Sequence, residues 1–315
     1  QERMGLIVSE KNLEMLEKIA KRERSPIYVV GKVTNDNKFI FESLTKGTKP
    51  MDLNLEDMFG SSPKTIMIDK KIKIDYNNIN YDKSQIEYYL EQVLKLEAVA
   101  CKDWLTNKVD RCVGGKVAKQ QCVGPLQLPL NNVGVMALDY KNNHGVATSI
   151  GHSPVAALIN PSSGSRNAIT EALTNIIWAP IKNGLNGISL SANWMWPCKN
   201  PGEDARLYEA VKAVSDFAIE LGINVPTGKD SLSMKQKYPE GDVISPGTVI
   251  ISAAAHCDEI SNVVEPLLKL NSGPIYYINI SKDEFKLGGS SFAQIHNRIG
   301  SHVPDTTCSK YVKNV

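Results

Sequence analysis

Hydrophobic and polar positions along the chain change period, and each change marks the start or end of an element. From Glu10 to about Arg22, Leu13, Leu16, Ile19 and Ala20 recur on one side of a helix, with Ser9 placed as an N-cap and Pro26 ending the run. Met4–Val8 reads as a strand-like stretch. Strands are predicted at Ile27–Val33 and Lys38–Glu42, joined by a turn at Asn35-Asp36-Asn37. Further on, Lys70, Lys71 and Lys73 sit among Ile66, Ile68, Ile72 and Ile74, the pattern of a strand with one solvated face. Residues 1–72 therefore read as a small α+β piece. The polar stretch 73–85, with Asn77, Asn78, Asn80 and Asp82, is the best candidate for a linker.

Residues 86–262 carry longer patterns. A helix is expected over Ile86–Leu96, then a segment dense in Gly, Gln and Lys, Cys101–Pro129. Strands follow near Val133–Tyr140 and Gly145–Ile150, a helix over about Gly164–Trp178, a strand at Gly187–Ala192 and a loop at Asn193–Gly202. A second long helix, Glu203–Leu221, repeats Leu207, Tyr208, Val211, Val214, Ala218 and Leu221 and meets Gly222 at its C-terminal end. Thr248–Ala255 reads as a strand. Residues 263–315 begin a new region with a strand expected at Pro274–Ile280. No internal repeat is visible.

Composition narrows the function classes. With 42% hydrophobic and 22% charged residues the chain is ordinary for a globular protein, and a net charge of +2 gives no electrostatic signature of nucleic-acid binding. No apolar run has membrane-spanning length. The six cysteines lack CxxC spacing, which argues against a thiolate zinc site and fits free thiols in a reducing cytoplasm. The chain opens on Gln1 without a leader and ends at Val315 without a stop signal, so a fragment is expected.

Several stretches could carry chemistry. On the helix Gly164–Trp178, Ile169, Ala172, Leu173, Ile176 and Ile177 form an apolar face. Glu171 lies opposite, with Asn175 one turn on and Asn167 one turn back. Glu and Asn at i and i+4 can offer oxygens to one hard cation such as Mg²⁺, although spacing alone favours a solvated polar face. In Asp110–Pro129, glycines could bring backbone N–H groups to a phosphate, with Lys116 or Lys119 as counter-charge; a Gly-rich turn between strands accounts for the pattern better. Gly222–Ser231 has the wrong glycine spacing for a P-loop, and its Lys229-Asp230 pair, in a loop, could touch a ligand or pair internally. His152 sits in a loop where a polar role is open. Glu203 and Asp204 suit a helix start.

Read together, WLTNKVDRCVGGKVAKQQCVGPLQLPL at 104–130, TEALTN at 170–175, SANWMW at 191–196, PGEDARLYEAVKAV at 201–214 and GKDSLSM at 228–234 resemble the large form of the phosphoribosylformylglycinamidine synthase family. KRERSPIYVVGKV at 21–33 and KLGGSSFAQ at 286–294 resemble flanking parts in the same order, so the resemblance covers nearly the whole chain. It implies an α/β fold of mixed sheets with packed helices, like aminoimidazole ribonucleotide synthetase. Residues 1–72 would be the tail of a first-half C-terminal subdomain, 73–262 a second-half N-terminal subdomain, and 263–315 the start of a second C-terminal subdomain. It implies conversion of formylglycinamide ribonucleotide, ATP, glutamine and water to formylglycinamidine ribonucleotide, ADP, phosphate and glutamate, in the cytoplasm, with the rest of the same polypeptide as partner. The glutaminase domain lies outside this stretch. By position, Glu171 and Asn175 match magnesium ligands. A third ligand position, usually Asp, falls on Asn132, which coordinates without bringing charge. Lys102, Gln121 and Asn131 fall where family members contact the nucleotide, Asn131 through its backbone. In large members, one of two pseudo-equivalent sites holds ADP and magnesium as a fixture, and these residues resemble that site. The alternative reading is therefore a structural ADP- and magnesium-binding half. The family packs its two N-terminal subdomains together, so a homodimer of this chain could imitate the missing partner.

Overall fold

In the computed structural model, which describes residues 3–60, 66–67, 70–106, 111, 114–282 and 284–315, the first expected helix is present. A 3-10 turn at Glu10–Asn12 runs into α1, Leu13–Arg22. An antiparallel pair follows, β1 (Lys38–Phe41) on β2 (Met51–Asn54), and then α2, Leu55–Phe59. Asn35 and Asn37 adopt left-handed φ of 59° and 56°, as a tight turn before β1 requires. The strands expected at Met4–Val8 and Ile27–Val33 are not formed. A strand is stable only with a ladder partner, and neither stretch has one. These elements belong to a unit spanning residues 1–66, in which no described residue is buried.

The second unit spans residues 67–315. Residues 70–74 form no strand; Lys71 reaches Glu209 at 2.6 Å and Lys73 reaches Asp75 at 2.9 Å instead, and Ile68 lies outside the described residues. α3 (Ile86–Lys95) and α4 (Asp103–Thr106) lead to three short strands, β3 (Val117–Lys119), β4 (Cys122–Val123) and β5 (Leu128–Pro129). Then come β6 (Gly134–Ala137), β7 (Gly145–His152), α5 (Pro154–Ile159), α6 (Pro161–Ile176), β8 (Ile188–Met195), α7 (Glu203–Leu221) and β9 (Asn224–Ser231). The hairpin β10 (Lys235–Tyr238) with β11 (Gly241–Ile244) precedes β12, Thr248–Cys257.

Six strands form one sheet in the order β3-β6-β7-β12-β8-β9, antiparallel except for the parallel pair β8–β9. Gly222–Ser231, expected as a loop, is thus mostly the edge strand β9, and the expected loop at Asn193 begins only after β8 ends at Met195. Strand alternation sets the two faces of the sheet. Val135, Ala147, Ile188, Leu190, Ile251, Ala253 and Ala255 are buried, and α6 and α7 pack against this side. On the other side Met136, Thr148, Ile150, Ser252 and Ala254 are exposed.

Both long helices end where local chemistry says they should. Asn160 caps α6, its Oδ1 accepting from the Ser163 N–H at 3.0 Å, and Pro161 occupies the first turn. Gly222, at φ 75°, stops α7. The buried face of α7 is shifted from the one expected: Val214, Ala218 and Leu221 are inside as expected, but Tyr208 and Val211 are exposed, and Arg206, Ala210, Ala213 and Phe217 are inside as well. The small side chains of Ala210 and Ala213 admit close approach, and Phe217 fills the space beyond. On α6, Ile177 falls just past the last turn and stays exposed.

Beyond Cys257 the chain is mostly irregular, with short helices α8 (Ser291–Ile295) and α9 (Ser309–Asn314). The strand expected at Pro274–Ile280 is absent, and Ile275, Tyr276 and Tyr277 are exposed. α8 packs on α3, where the Phe292 ring meets Tyr89 edge-on at 5.3 Å.

Candidate functional site

The candidate site begins at Gly151 on β7. A Cβ there would lie 2.1 Å from the Ala168 carbonyl oxygen and 2.4 Å from the Ala172 nitrogen, so only glycine lets α6 lie this close to the strand. Next to it the Ser149 hydroxyl donates to the Ala172 carbonyl at 2.6 Å. The contact brings Glu171 and Asn175 down onto the edge of β7. Glu171 Oε2 accepts the His152 backbone N–H at 2.7 Å, and Asn175 Nδ2 donates to the Ile150 carbonyl at 3.0 Å. Those main-chain groups are available because β6 stops pairing with β7 at Gly134, opposite Thr148. The same register, continued past Gly134, leads Asn132 toward Ile150, and Asn132 is exposed.

Each anchoring bond uses one polar atom and leaves another. Glu171 keeps Oε1 and Asn175 keeps Oδ1, both oxygens, on side chains that are partly open to solvent. Oxygen donors of this kind suit a hard cation such as Mg²⁺ and not a thiophilic metal. The set carries a single negative charge, so a divalent ion held here needs further anionic oxygens from a ligand. Among the described residues no group of three or more His, Cys, Asp or Glu could hold a metal. The role of His152 is through its backbone N–H; its Nδ1 lies 3.7 Å from the Glu171 carboxylate.

The residues expected at a nucleotide are less closely gathered. Asn131 is buried, and its Nδ2 donates to the carbonyls of Gln120 at 2.9 Å and Val133 at 2.8 Å. Its N–H goes to the Gln121 carbonyl at 3.1 Å. The side chain is thus spent on the turn, which leaves the main-chain carbonyl for any ligand. Gln121 is exposed beside it. Lys102 folds onto the carbonyls of Glu97 and Ala100, and no hydrogen bond or ion pair joins it to Glu171 or Asn175. Residues 107–110, 112 and 113 of the Gly-rich segment lie outside the described residues. The two lysines expected as counter-charges are already engaged: Lys116 Nζ donates to the Leu138 carbonyl at 3.1 Å, and Lys119 pairs with Glu265 at 2.7 Å.

Cys198 offers no nucleophile. Burial, with Asp204 and Glu203 nearby, pushes its thiol up to about 12, so it stays protonated at neutral pH. Cys101, Cys122, Cys198, Cys257 and Cys308 are free thiols, and Cys112 lies outside the described residues. What sequence reasoning missed is a clasp on α6. Arg166 makes a bidentate ion pair with Asp305, Nε to Oδ1 at 2.7 Å and Nη2 to Oδ2 at 2.6 Å. The polar stripe Ser163, Arg166, Asn167 and Thr170 was visible in the sequence, but its partner lies 139 residues from Arg166.

A mostly antiparallel sheet backed on one face by two long helices, with side-chain oxygens where a helix meets a strand edge, is the architecture of an N-terminal subdomain of the aminoimidazole ribonucleotide synthetase type. A family profile described as "FGAR-AT PurM_N-like domain" matches residues 101–256. The chain belongs to the phosphoribosylformylglycinamidine synthase family. It is 38% identical to the human phosphoribosylformylglycinamidine synthase over 97% of this chain and 24% of the relative. It is 37% identical to a probable chloroplastic/mitochondrial synthase of Arabidopsis thaliana, over 100% of this chain and 23% of that one. The chain thus spans about a quarter of these curated relatives. Among solved structures, T. maritima PurL complexed with ADP superposes with a TM-score of 0.55 at 16% identity, covering 83% of this chain and 39% of that chain. T. maritima PurL complexed with FGAR gives a TM-score of 0.54 at 16% identity, over 83% and 37%. At that identity the likeness is one of fold.

Proposed function

We propose that this chain works as part of a glutamine-dependent phosphoribosylformylglycinamidine synthase of purine biosynthesis. The observation that carries the reading is 38% identity to a named synthase over 97% of the chain. The enzyme class converts formylglycinamide ribonucleotide to the amidine. ATP phosphorylates the amide oxygen, a poor leaving group, and ammonia derived from glutamine displaces the phosphate. PurL structures with ATP, ADP and FGAR support nucleotide and substrate binding by this fold.

In this reading Glu171 and Asn175, with Asn132, hold magnesium, which neutralises phosphate charge when bound. Lys102, Gln121 and Asn131 contact the nucleotide. Residues 1–72, 73–262 and 263–315 belong to three successive subdomains of a longer polypeptide, whose remainder is the principal partner. The exposed sheet face around Met136 and Ile150 packs against an equivalent face, from that remainder or from a second copy of this chain. In this reading the enzyme is cytoplasmic, as the family resemblance implies. No helix among the described residues is long and apolar enough to cross a membrane.

The test is calorimetric titration of the purified chain with ADP in the presence and absence of MgCl₂. Magnesium-dependent binding that Glu171→Gln weakens at least tenfold supports the site. Binding equal in both proteins removes Glu171 from it. In parallel, the chain alone should release no ADP from ATP in response to formylglycinamide ribonucleotide and ammonium, because catalysis needs contacts from the rest of the enzyme. Clear substrate-dependent turnover would overturn that boundary.

A further inference from the structure

α6 presents three stripes, and each has a different neighbour. At about 100° per residue, Ala168, Ile169, Ala172, Leu173 and Ile176 share the side that faces the sheet. Glu171 and Asn175 occupy the next stripe. Beside that stripe, on the side away from the sheet, lie Ser163, Arg166, Asn167 and Thr170. This third stripe is covered by residues 304–306, a coil segment far away in sequence. Asp305 receives both guanidinium bonds of Arg166, at 2.7 and 2.6 Å, and the Ser163 hydroxyl at 2.7 Å. Asn167 Nδ2 donates to the Pro304 carbonyl at 2.9 Å. The hydroxyls of Thr170 and Thr306 meet at 2.9 Å, and Thr306 is buried.

We infer that Asp305 is a positioning residue for the cation site: through Arg166 it fixes the rotation and axial placement of α6, and so the oxygens of Glu171 and Asn175. The inference rests on the cation reading of those two residues. An apolar stripe by itself holds a helix against a sheet but tolerates small slides, because dispersion contacts are non-directional. A bidentate Arg–carboxylate pair is directional, and two further hydrogen bonds on either side of it remove the remaining freedom of α6. Glu171 follows Thr170 directly, so a turn of the helix about its axis moves the carboxylate away from the His152 N–H. The carboxylate of Asp305 is well suited to the role. Burial works against its charge, yet Arg166 and Ser163 outweigh burial and hold its pKa below the ordinary carboxylate range. The clasp therefore stays ionised at neutral pH.

The test uses the 315-residue chain and Mn²⁺ as the probe, bound in the presence of ADP and read by electron paramagnetic resonance. Glu171→Gln reports on the site itself. Asp305→Asn and Arg166→Met, singly and together, report on the clasp. Phe217→Leu, a core change on α7 that lies outside the hydrogen bonds and ion pairs of both the site and the clasp, serves as a control for lost stability. The expected result is a roughly tenfold weaker Mn²⁺ affinity in each clasp variant, no further loss in the double variant, and wild-type affinity for Phe217→Leu. If Glu171→Gln binds Mn²⁺ like wild type, the cation reading falls and this inference with it. If Glu171→Gln loses Mn²⁺ but both clasp variants stay within twofold of wild type, the site stands and the positioning role is overturned. Equal losses in Asp305→Asn and Phe217→Leu also overturn it, since the effect is then one of stability alone. Should Asp305→Asn fail to fold, Thr306→Val removes only the outer hydroxyl contact; an affinity several-fold weaker supports the role, and an unchanged one refutes it.

Discussion

The unit of residues 1–66 and the six-stranded sheet with α6 and α7 start from similar local signals and end differently. Both contain a helix of regular apolar period and runs of β-branched residues. In the sheet, alternation finds a partner on each side and a helical cover, and Ala147, Ile169, Ile251 and Phe217 are 0–2% exposed. In residues 1–66, α1 forms but Ile19 stays 40% exposed, and Val29 and Val30 lie open without a ladder. A helix satisfies its backbone within itself, so the pattern suffices for α1. A strand satisfies its backbone only through another strand, so the pattern at Ile27–Val33 is a proposal that its surroundings did not take up.

The sharpest way to break the comparison is to test a glycine in each region. Gly151→Val drives a side chain into the Ala168 carbonyl and is expected to destabilise the sheet unit by about 3 kcal/mol or more, seen as a lower midpoint of chemical denaturation. Gly31→Ala, with nothing within 4 Å of the added Cβ, should change stability by less than about 0.5 kcal/mol. A comparable loss at both positions would show that residues 1–66 are packed as tightly as the sheet.

Truncation gives the same contrast on a similar scale. Phe217→Ala should cost about 3–5 kcal/mol by opening a core cavity, whereas Ile19→Ala on exposed α1 should stay within about 0.5 kcal/mol. Limited proteolysis should agree: trypsin is expected to cut within residues 1–66 well before any site between β7 and β12, because cleavage needs local opening and few buried contacts oppose it there. Protection of Lys18 and Lys21 at times when the sheet is already nicked would contradict that order.

The smallest effect concerns acid. The folded pKa of Asp305 is depressed, so its contribution to stability is fully present above the unfolded carboxylate value of about 3.9 and is lost as pH falls through the lower folded value. Asp305→Asn should therefore be less stable than wild type at pH 7, and the gap should close in strongly acidic solution. A gap that widens on acidification has the wrong sign for this clasp. In the unit of residues 1–66 no comparable contribution is expected: among its described residues Asp36 is held below the usual carboxylate range by Thr34 and the Lys38 N–H, but it is fully exposed and so screened by solvent.

Part of the candidate site was legible because a helix carries its own geometry. The spacing of Glu171 and Asn175 puts them one turn apart in any helix, and Gly222 marks where α7 ends without reference to the rest of the chain. The apolar pattern places the start of α6 three residues late, at Gly164, because the cap Asn160 and the first-turn Pro161 precede it. The family resemblance then supplied roles for positions that spacing alone left open. The sequence could not decide what closes across long distances. That β9 would be an edge strand parallel to β8, that α7 would turn Ala210 and Phe217 inward in place of Tyr208, and that Arg166 would meet Asp305 all depend on packing between residues far apart. Local hydrogen bonds can be read from neighbours a few residues away. Ladder pairing, helix rotation and buried ion pairs are settled only when the whole core competes for the same space.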